Sequence, residues 1–505
     1  MSSATPTTNT VTFDPSSVSK QADVLYPVNS RDAGLMTPGL LVQLNQAISL
    51  VDVEIFADPI NGNDANPGTE ELPVQTFQRA WTLGAVPGTK KRRIYLTADT
   101  FPCTAPSPGQ DVTFYAPTPL DEGEFITVIG TPVDVGGGLL TSTAVDVHTT
   151  QVSIPAHAPN SFIGATLRVV NDLGGGSAVG ARCMVKADDG VILTLANSIE
   201  WVSFGGNMLA GDQLVLERPG SILTVDTNFG FSGAMCFKDV KVDATGGAPG
   251  LIAFDGCRVE NALNLELVGF EVVVANNSIF SPSALGLIFF DPPPFDTFLE
   301  SGGVYIHDVS EVIIEQGGRF QRTNAISSSA VVFRDCPAIE VRESGVFAMI
   351  DGGTAFLNSA VLLDGSTSLF RIGGTFDGVT VLSRATMDGS LGNALSMTSG
   401  AKAEFLFADI FNAAGDAVNA NGGCFVSAGD LGGSLNGGYG LNLQGSSLAT
   451  ADNAGGGLSA CTVFGAAGEV LVGTSLQTYA GMTANLGFGE TNAGGPTLNR
   501  FTVLP

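Results

Sequence analysis

One short pattern that returns five times between residues 263 and 411 constrains the fold more than any other feature of the chain. Each copy alternates apolar with polar residues and closes on a phenylalanine: Phe280, Phe320, Phe347, Phe376 and Phe411. A regular pattern inside each copy, with uneven intervals between copies, is typical of a solenoid whose insertions lie in the loops between coils. Because alternation with a period of two belongs to strands, the repeating unit is predicted to be strand and turn.

Two inner columns follow from this pattern. The closing phenylalanines are predicted to stack along the inside of the solenoid. A second apolar column is predicted six residues before them, at Val274, Ile314, Val341, Phe370 and Phe405. Outside, the charged residues five positions before three of the closing phenylalanines are predicted to form a charge-paired ladder, at Glu315, Arg342 and Arg371. The fold class is therefore all-β, a parallel β-helix.

Composition excludes several classes of partner. The net charge is -27, from 22 basic and 49 acidic residues, so the chain would be repelled by nucleic-acid phosphates. No apolar run reaches membrane-spanning length, and the first residues do not resemble a secretory signal. The 7 cysteines form no Cys-x-x-Cys pair, which favours buried free thiols and assembly in a reducing cytoplasm. No nucleic-acid or membrane partner and no cofactor is expected.

Residues 1–52 are interpreted as an extended arm followed by a short amphipathic helix that begins near Thr37 and Pro38. The stretch Asp-Ala-Gly-Leu-Met-Thr-Pro-Gly-Leu-Leu-Val-Gln-Leu, residues 32–44, resembles a segment common in bacteriophage tail fibres. That resemblance implies an attachment segment through which residues 1–50 bind other virion proteins. The alternative is that the helix simply caps the solenoid.

Residues 53–124 are predicted to form the N-terminal capping module of the β-helix. The run Asp-Pro-Ile-Asn-Gly-Asn-Asp-Ala-Asn-Pro-Gly-Thr from Asp58, followed by a helix over about 73–83, resembles the opening of pectin-lyase-like, right-handed parallel β-helix proteins. The Asp and Asn side chains are expected to hold tight turns, and the helix to cover the open end of the solenoid. Calcium is the alternative for these oxygens, although their spacing is not that of an EF-hand.

The remaining chain divides into three predicted parts. Residues 125–220 break the coil pattern and indicate an inserted antiparallel β module, similar to modules of phage-type β-helix proteins, with Trp201 either stacking on a sugar or packing on the coil. Residues 221–412 are the main coils, in which the proline-rich stretch 291–301 is predicted to project as a loop. Residues 413–505 are glycine-rich and form either shorter coils or a separate terminal β-structure.

Paired carboxylates are the only catalytic chemistry that the sequence offers. The chain has 3 histidines, and no serine or cysteine hydrolase motif, zinc motif or nucleotide motif. Coils stack about 4.8 Å apart, which can supply the carboxyl separations that glycosidases use. Asp308 and Asp335 share a column and are the predicted catalytic pair. Outward acidic residues are also expected in any protein this acidic, so a structural role is the alternative for both.

The resemblances favour a phage virion protein, a tail fibre or tailspike that recognises a host-surface glycan, is assembled in the host cytoplasm and forms a homotrimer. Two alternatives from other classes stay open. One is a polysaccharide hydrolase or lyase built on a β-helix. The other is a capsid decoration, a vertex spike or an adhesin at the cell surface.

Overall fold

The computed structural model describes much of the chain from Val53 to Asn492. The described ranges are 53–85, 92–104, 112–116, 126–146, 149–173, 178–196, 207–225, 228–244, 251–260, 263–269, 271–275, 279–281, 302–321, 329–349, 354–372, 385–405, 408–428, 431–444, 447–450, 462–465, 468–472 and 490–492. The predicted attachment segment, the projecting loop and Trp201 lie outside these residues.

The described chain has one helix and is otherwise built from strands. The N-terminal elements are β1 (Val53–Ala57), α1 (Phe77–Gly84), β2 (Arg92–Leu96), β3 (Thr100–Cys103), β4 (Val112–Tyr115) and β5 (Ile126–Ile129). The next eight strands are β6 (Pro132–Asp134), β7 (Leu140–Thr141), β8 (Ala144–Val145), β9 (Gln151–Ser153), β10 (Thr166–Asn171), β11 (Arg182–Asp188), β12 (Ile192–Leu195) and β13 (Gln213–Pro219).

The remaining strands are β14 (Ser221–Val225), β15 (Phe229–Asp243), β16 (Leu251–Glu260), β17 (Leu263–Val268), β18 (Glu271–Ala275), β19 (Ile279–Ser281), β20 (Gly302–His307), β21 (Glu311–Ile314), β22 (Arg319–Gln321), β23 (Ser329–Arg334), β24 (Ile339–Val341), β25 (Val346–Met349), β26 (Thr354–Leu357), β27 (Val361–Asp364), β28 (Leu369–Ile372), β29 (Ala385–Asp388), β30 (Leu395–Thr398), β31 (Lys402–Phe405), β32 (Ala408–Phe411), β33 (Val418–Ala420), β34 (Phe425–Ala428), β35 (Leu431–Asn436), β36 (Tyr439–Leu443), β37 (Leu448–Thr450), β38 (Thr462–Gly465), β39 (Gly468–Val472) and β40 (Glu490–Asn492).

Parallel pairing from coil to coil arranges these strands as a β-helix with three faces. Within a coil the chain runs through face A, then face B, then face C, as β20, β21 and β22 do before β23 begins the next coil. The predicted parallel β-helix is confirmed. The ladders continue past residue 412, because β33 pairs with β36 and β34 pairs with β37.

The predicted phenylalanine column is correct as far as Phe347 and wrong beyond it. On face C, Phe280 pairs with Phe320, which pairs with Phe347. Phe347 then pairs with Phe370, six residues earlier than predicted. Phe376 lies outside the described residues, and Phe411 pairs with Asp388 on face A. The second column, on face B, likewise passes from Val341 to Leu363 and Met397 instead of to Phe370 and Phe405.

The helix α1 closes the N-terminal end of the core. It begins after Thr76, whose hydroxyl accepts a hydrogen bond from the Arg79 amide at 3.1 Å. Trp81 is buried on its inner side, with its ring 5.3 Å from that of Phe114 in the coil below. The predicted capping helix is thus confirmed, although it runs over 77–84 and not over 73–83.

The Asp and Asn residues before this helix hold turns, as predicted. Asp58 Oδ1 accepts from the amides of Ile60 and Asn61, both at 2.9 Å. Asp64 Oδ1 accepts from the amides of Gln75 and Thr76 at 2.9 and 2.8 Å. Because these oxygens are bonded to the backbone, they fix the path of the chain into α1.

Strands β6 to β13 form the inserted antiparallel module that the sequence predicts. Their order in the sheet is β6-β13-β10-β11-β12-β9-β8, with β7 also paired to β13. The module has its own apolar core and rests on face A, where Ile163 and Met184 pack against Tyr305 and Val332. At the contact Gly164 has a φ of +81°, and a Cβ there would lie 2.3 Å from the Tyr305 ring, so only glycine fits.

No helix among the described residues is long and apolar enough to cross a membrane. The described cysteine side chains are buried free thiols, as predicted: Cys103, Cys183, Cys236, Cys336 and Cys424. Burial raises the pKa of Cys336 to about 12, so this thiol is unreactive at neutral pH.

Candidate functional site

A row of left-handed residues runs along the corner between face A and face B. Each described coil from β20 to β35 places one residue there with a φ between 50° and 75°: Asp308, Asp335, Asn358, Gly389, Asn412 and Leu435. The amides of the first five bond to the next coil, as when the Asp335 amide donates to the Leu357 carbonyl at 3.0 Å. We call these six residues the corner row. Asp, Asn and Gly adopt a left-handed backbone more readily than other residues. Their presence at five of the six positions is therefore explained by the backbone alone, without reference to function.

The two predicted catalytic residues stand next to each other in the corner row. Asp308 and Asp335 directly follow His307 and Arg334, which pair across β20 and β23. Their side chains are 65% and 42% exposed. The structure therefore brings the two carboxylates to one solvent-facing corner, one coil apart. Their catalytic role stays a prediction.

Each of these carboxylates contacts the side chain that precedes it in the sequence, and Asp335 also contacts an amide. Asp308 Oδ2 lies 2.6 Å from His307 Nδ1. Asp335 Oδ2 lies 3.2 Å from Arg334 Nε, and Asp335 Oδ1 accepts from Asn358 Nδ2 at 2.9 Å. The same amide-to-carboxylate contact recurs two coils further along, where Asn412 Nδ2 donates to Asp388 Oδ1 at 2.8 Å. The corner thus presents fixed carboxylates and amides along the rod.

Beneath this corner lies a buried glutamate that the sequence analysis did not single out. Glu266 Oε1 accepts from His307 Nε2 at 2.9 Å and lies 3.3 Å from Lys241 Nζ. Burial by itself would raise the pKa of Glu266, but the hydrogen bond from His307 and the charges of Lys241 and Arg218 outweigh burial and lower it. Glu266 therefore stays ionised and fixes the ring of His307.

Tyr305 joins this cluster to the inserted module. Its ring stacks on His307, with centroids 4.3 Å apart and planes at 21°. The guanidinium of Arg218 lies 5.5 Å from the Tyr305 ring centroid, within cation–π range. Burial is the largest cause of a raised pKa at Tyr305, so its hydroxyl stays neutral at physiological pH.

The sequence contained a signal for the part of face A that the inserted module covers. Strands β20, β23 and β26 contain unbroken apolar runs, Val304–Ile306, Val331–Phe333 and Ala355–Phe356, in place of strict alternation. A strand that is apolar on both faces is one that is covered on both faces. The outward members Tyr305, Val332 and Ala355 are the ones on which the module packs.

The predicted charge ladder is correct for Glu315 and Arg342 and wrong for Arg371. Arg342 Nε donates to Glu315 Oε2 at 2.9 Å, and its Nη1 donates to Glu340 Oε2 at 2.5 Å. Arg371 lies on face C instead, and its Nε donates to Glu404 Oε2 at 2.6 Å. The Arg342–Glu315 and Arg371–Glu404 pairs join neighbouring coils at the surface, where such pairs contribute about 0–1 kcal/mol each to stability.

Among the described residues no group of three or more His, Cys, Asp or Glu side chains is placed to hold a metal ion. Trp201 falls in the stretch 197–206, outside the residues that the structure describes.

No protein-family model and no curated protein sequence matches the chain. Among solved structures the chain is similar to the Gp54 tailspike of Acinetobacter baumannii bacteriophage AP22 in complex with A. baumannii capsular saccharide, at 8% identity over 79% of this chain and 74% of that one, with a TM-score of 0.24. It is also similar to the tailspike gp61 of Pseudomonas phage phi297, at 10% identity over 79% and 73%, with a TM-score of 0.24.

A third similar structure is XylC in complex with xylose, at 12% identity over 76% of this chain and 69% of that one, with a TM-score of 0.23. Likenesses this low carry no argument about function. The fold rests on the chain's own strand pairing, which defines a parallel β-helix with an antiparallel module docked on one face.

Proposed function

We propose that this protein is a projection of a phage virion, of the tail fibre or tailspike type, and that it binds a host-surface glycan along the corner row. The observation that carries the proposal is the row of exposed carboxylate and amide groups from Asp308 to Asn412, which Gly389 interrupts once. Coils about 4.8 Å apart repeat these groups along the rod axis. A glycan is a chain of repeated hydroxylated units, so it can bond to several coils at once.

The partners that hold Asp308 and Asp335 in place favour a role of the corner row in binding over a role in solubility alone. Arg334 and Asn358 hold Asp335, and His307 holds Asp308, so these side chains have already lost much of their rotamer freedom. A ligand that bonds to them pays less ordering entropy than one that bonds to free surface side chains. Hydrogen bonds to charged groups contribute about 1.5–3 kcal/mol each.

The test of binding uses glycine, because Gly389 already occupies one position of the row. Asp308→Gly with Asp335→Gly removes two side chains and keeps the left-handed backbone. Binding to purified host capsule or lipopolysaccharide, measured by biolayer interferometry, should fall at least about tenfold.

The matched control is Gln316→Gly, at a left-handed exposed residue on the corner between face B and face C. It should leave the affinity unchanged. Full affinity in the Asp308 and Asp335 double variant would exclude the corner row as the binding surface.

Assembly belongs to the same proposal. We expect a homotrimer that attaches to the virion through residues 1–50. Sedimentation equilibrium measures the mass directly, and a monomer at micromolar concentration contradicts the proposal. Removal of residues 1–50 should abolish incorporation into the particle while the circular dichroism of the β-helix is retained. Loss of folding on truncation would instead indicate that this segment is a cap.

Cleavage of the glycan is the second candidate function, and the spacing of the two aspartates favours it. One coil separates Asp308 from Asp335, about 4.8 Å between strands, which is close to the 5–5.5 Å that retaining glycosidases use. Asp308→Asn and Asp335→Asn each keep the shape of the side chain and remove its charge. Host polysaccharide incubated with the wild type should shorten, and each variant should abolish shortening. Activity that survives both substitutions would refute this assignment.

A further inference from the structure

The segment between β9 and β10, residues 154–165, crosses from the inserted module to the candidate site. We call it the strap. The Asn160 carbonyl accepts from Arg334 Nη1 at 3.2 Å, and the Ile163 carbonyl accepts from Arg218 Nη2 at 2.8 Å. Arg334 also holds Asp335. The strap therefore positions the arginine that orients a member of the corner row.

Backbone hydrogen bonds hold the strap to β11 and to the turn after it, as when the Asn160 amide donates to the Asp188 carbonyl at 3.0 Å. The carboxylate of Asp188 adds side-chain contacts to them. The side chain of Asp188 is fully buried. Its Oδ2 accepts from the Phe162 amide at 3.0 Å, and its Oδ1 accepts from the Gly190 amide at 2.9 Å. His157, at the start of the strap, places its Nε2 at 2.7 Å from the same Oδ1.

The geometry around His157 requires the protonated ring. Its other nitrogen, Nδ1, lies 2.9 Å from the carbonyl of Pro155. A carbonyl and an ionised carboxylate only accept hydrogen bonds, so both ring nitrogens must carry hydrogen. A neutral imidazole has one N–H and would leave one of the two contacts unmade.

The charged groups that face His157 are both acidic in the described part of the chain. They are Asp188, at the end of β11, and Asp189, in the turn between β11 and β12. From its own segment the ring meets the Pro155 carbonyl and the ring of Phe162, 4.7 Å away. Burial by itself would lower the pKa of His157, but the hydrogen bonds to Pro155 and Asp188 and the two negative charges outweigh burial and raise it.

We propose that His157 and Asp188 form a pH-sensitive latch that tightens the strap against the candidate site when His157 is protonated and loosens it when His157 loses its proton. The latch is fully closed below the ordinary histidine pKa of about 6.5 and opens as the pH rises through the higher pKa of the folded protein. Once it is open, the Asn160 carbonyl is held less firmly as a partner of Arg334. Regulation of glycan binding by this latch rests on the proposed function, whereas the latch itself does not.

Hydrogen–deuterium exchange of the full chain tests the latch without any glycan. Protection of the peptide that contains Phe162, corrected for the intrinsic pH dependence of exchange, should fall at least about tenfold as the pH is raised from about 6 to about 9. His157→Gln should show the low protection at every pH. His148→Gln, which removes a histidine that precedes residues 154–165 in the sequence, should keep the transition.

The outcomes separate the latch from the proposed function. Constant protection across this pH range in the wild type, or a transition that persists in His157→Gln, overturns the latch whatever the glycan result. A latch that titrates as expected in a protein that binds no host glycan at any pH overturns the proposed function alone. If binding occurs, the affinity should weaken at high pH by a larger factor in the wild type than in His157→Gln, which keeps His307 beside Asp308.

Discussion

Phe347 is the residue at which the inner packing of the coil can be tested most directly. It is fully buried on face C, with its ring stacked between those of Phe320 and Phe370 at centroid distances of 5.6 and 5.3 Å. Across the core it also meets Phe333 and Phe356, at 5.9 and 5.6 Å. Phe347→Ala removes the middle of this cluster, and four rings cannot collapse into the space. We expect the free energy of unfolding to fall by about 3–5 kcal/mol.

Urea denaturation followed by circular dichroism measures this loss as a shift in the midpoint at constant slope. Phe411→Ala is the informative comparison, because the sequence pattern treats the two phenylalanines as equivalent. Phe411 is half-buried on face A, so its loss should cost roughly 1 kcal/mol. Phe347→Met, which keeps most of the apolar volume, should cost less than about 1.5 kcal/mol. Equal costs for Phe347→Ala and Phe411→Ala would refute the register on which this reasoning depends.

Two further predictions concern strain and pH. Leu435 is held at a φ of +62° with 77% of its surface exposed, so Leu435→Asn should relieve strain and stabilise the fold by about 1 kcal/mol in the same urea assay; a lower midpoint would contradict this. Glu266 has a lowered pKa. Its ionised side chain therefore contributes to stability at pH values above about 4.5, and this contribution is lost as the pH falls through the lowered pKa of the folded protein. In Glu266→Gln that part of the acid dependence of the urea midpoint should disappear, and an unchanged pH profile would show that Glu266 is not the group responsible.

Alternation of apolar and polar residues determined the fold class from the sequence, and it did so for a physical reason. A strand whose inner side faces a core must place apolar residues at every second position, whatever the rest of the molecule does. The turn residues before α1 are equally local, because Asp58 and Asp64 bond to amides that their own segment supplies. Patterns of this kind need no knowledge of distant contacts.

Register along the rod was not determined by that pattern beyond Phe347. Each coil has three strands, each strand alternates in the same way, and a phenylalanine that ends a copy does not say which face it belongs to. The insertions between face C and face A vary in length, so counting residues cannot restore the alignment. Pairing of Phe347 with Phe370 is decided by which backbones bond to each other.

The candidate site also has a part that local sequence predicts and a part that depends on distant contacts. Asp308 and Asp335 could be placed in one column from the sequence, because neighbouring coils repeat a position. Their surroundings could not be placed, since Glu266 reaches His307 from the previous coil and the strap reaches Arg334 from an inserted module. The sequence by itself determined the β-helix, its cap and the inserted module, because each depends on neighbouring residues. Only the tertiary structure decided which face the module covers and which charges it buries, because those contacts join residues far apart in the sequence, 174 positions for Asn160 and Arg334.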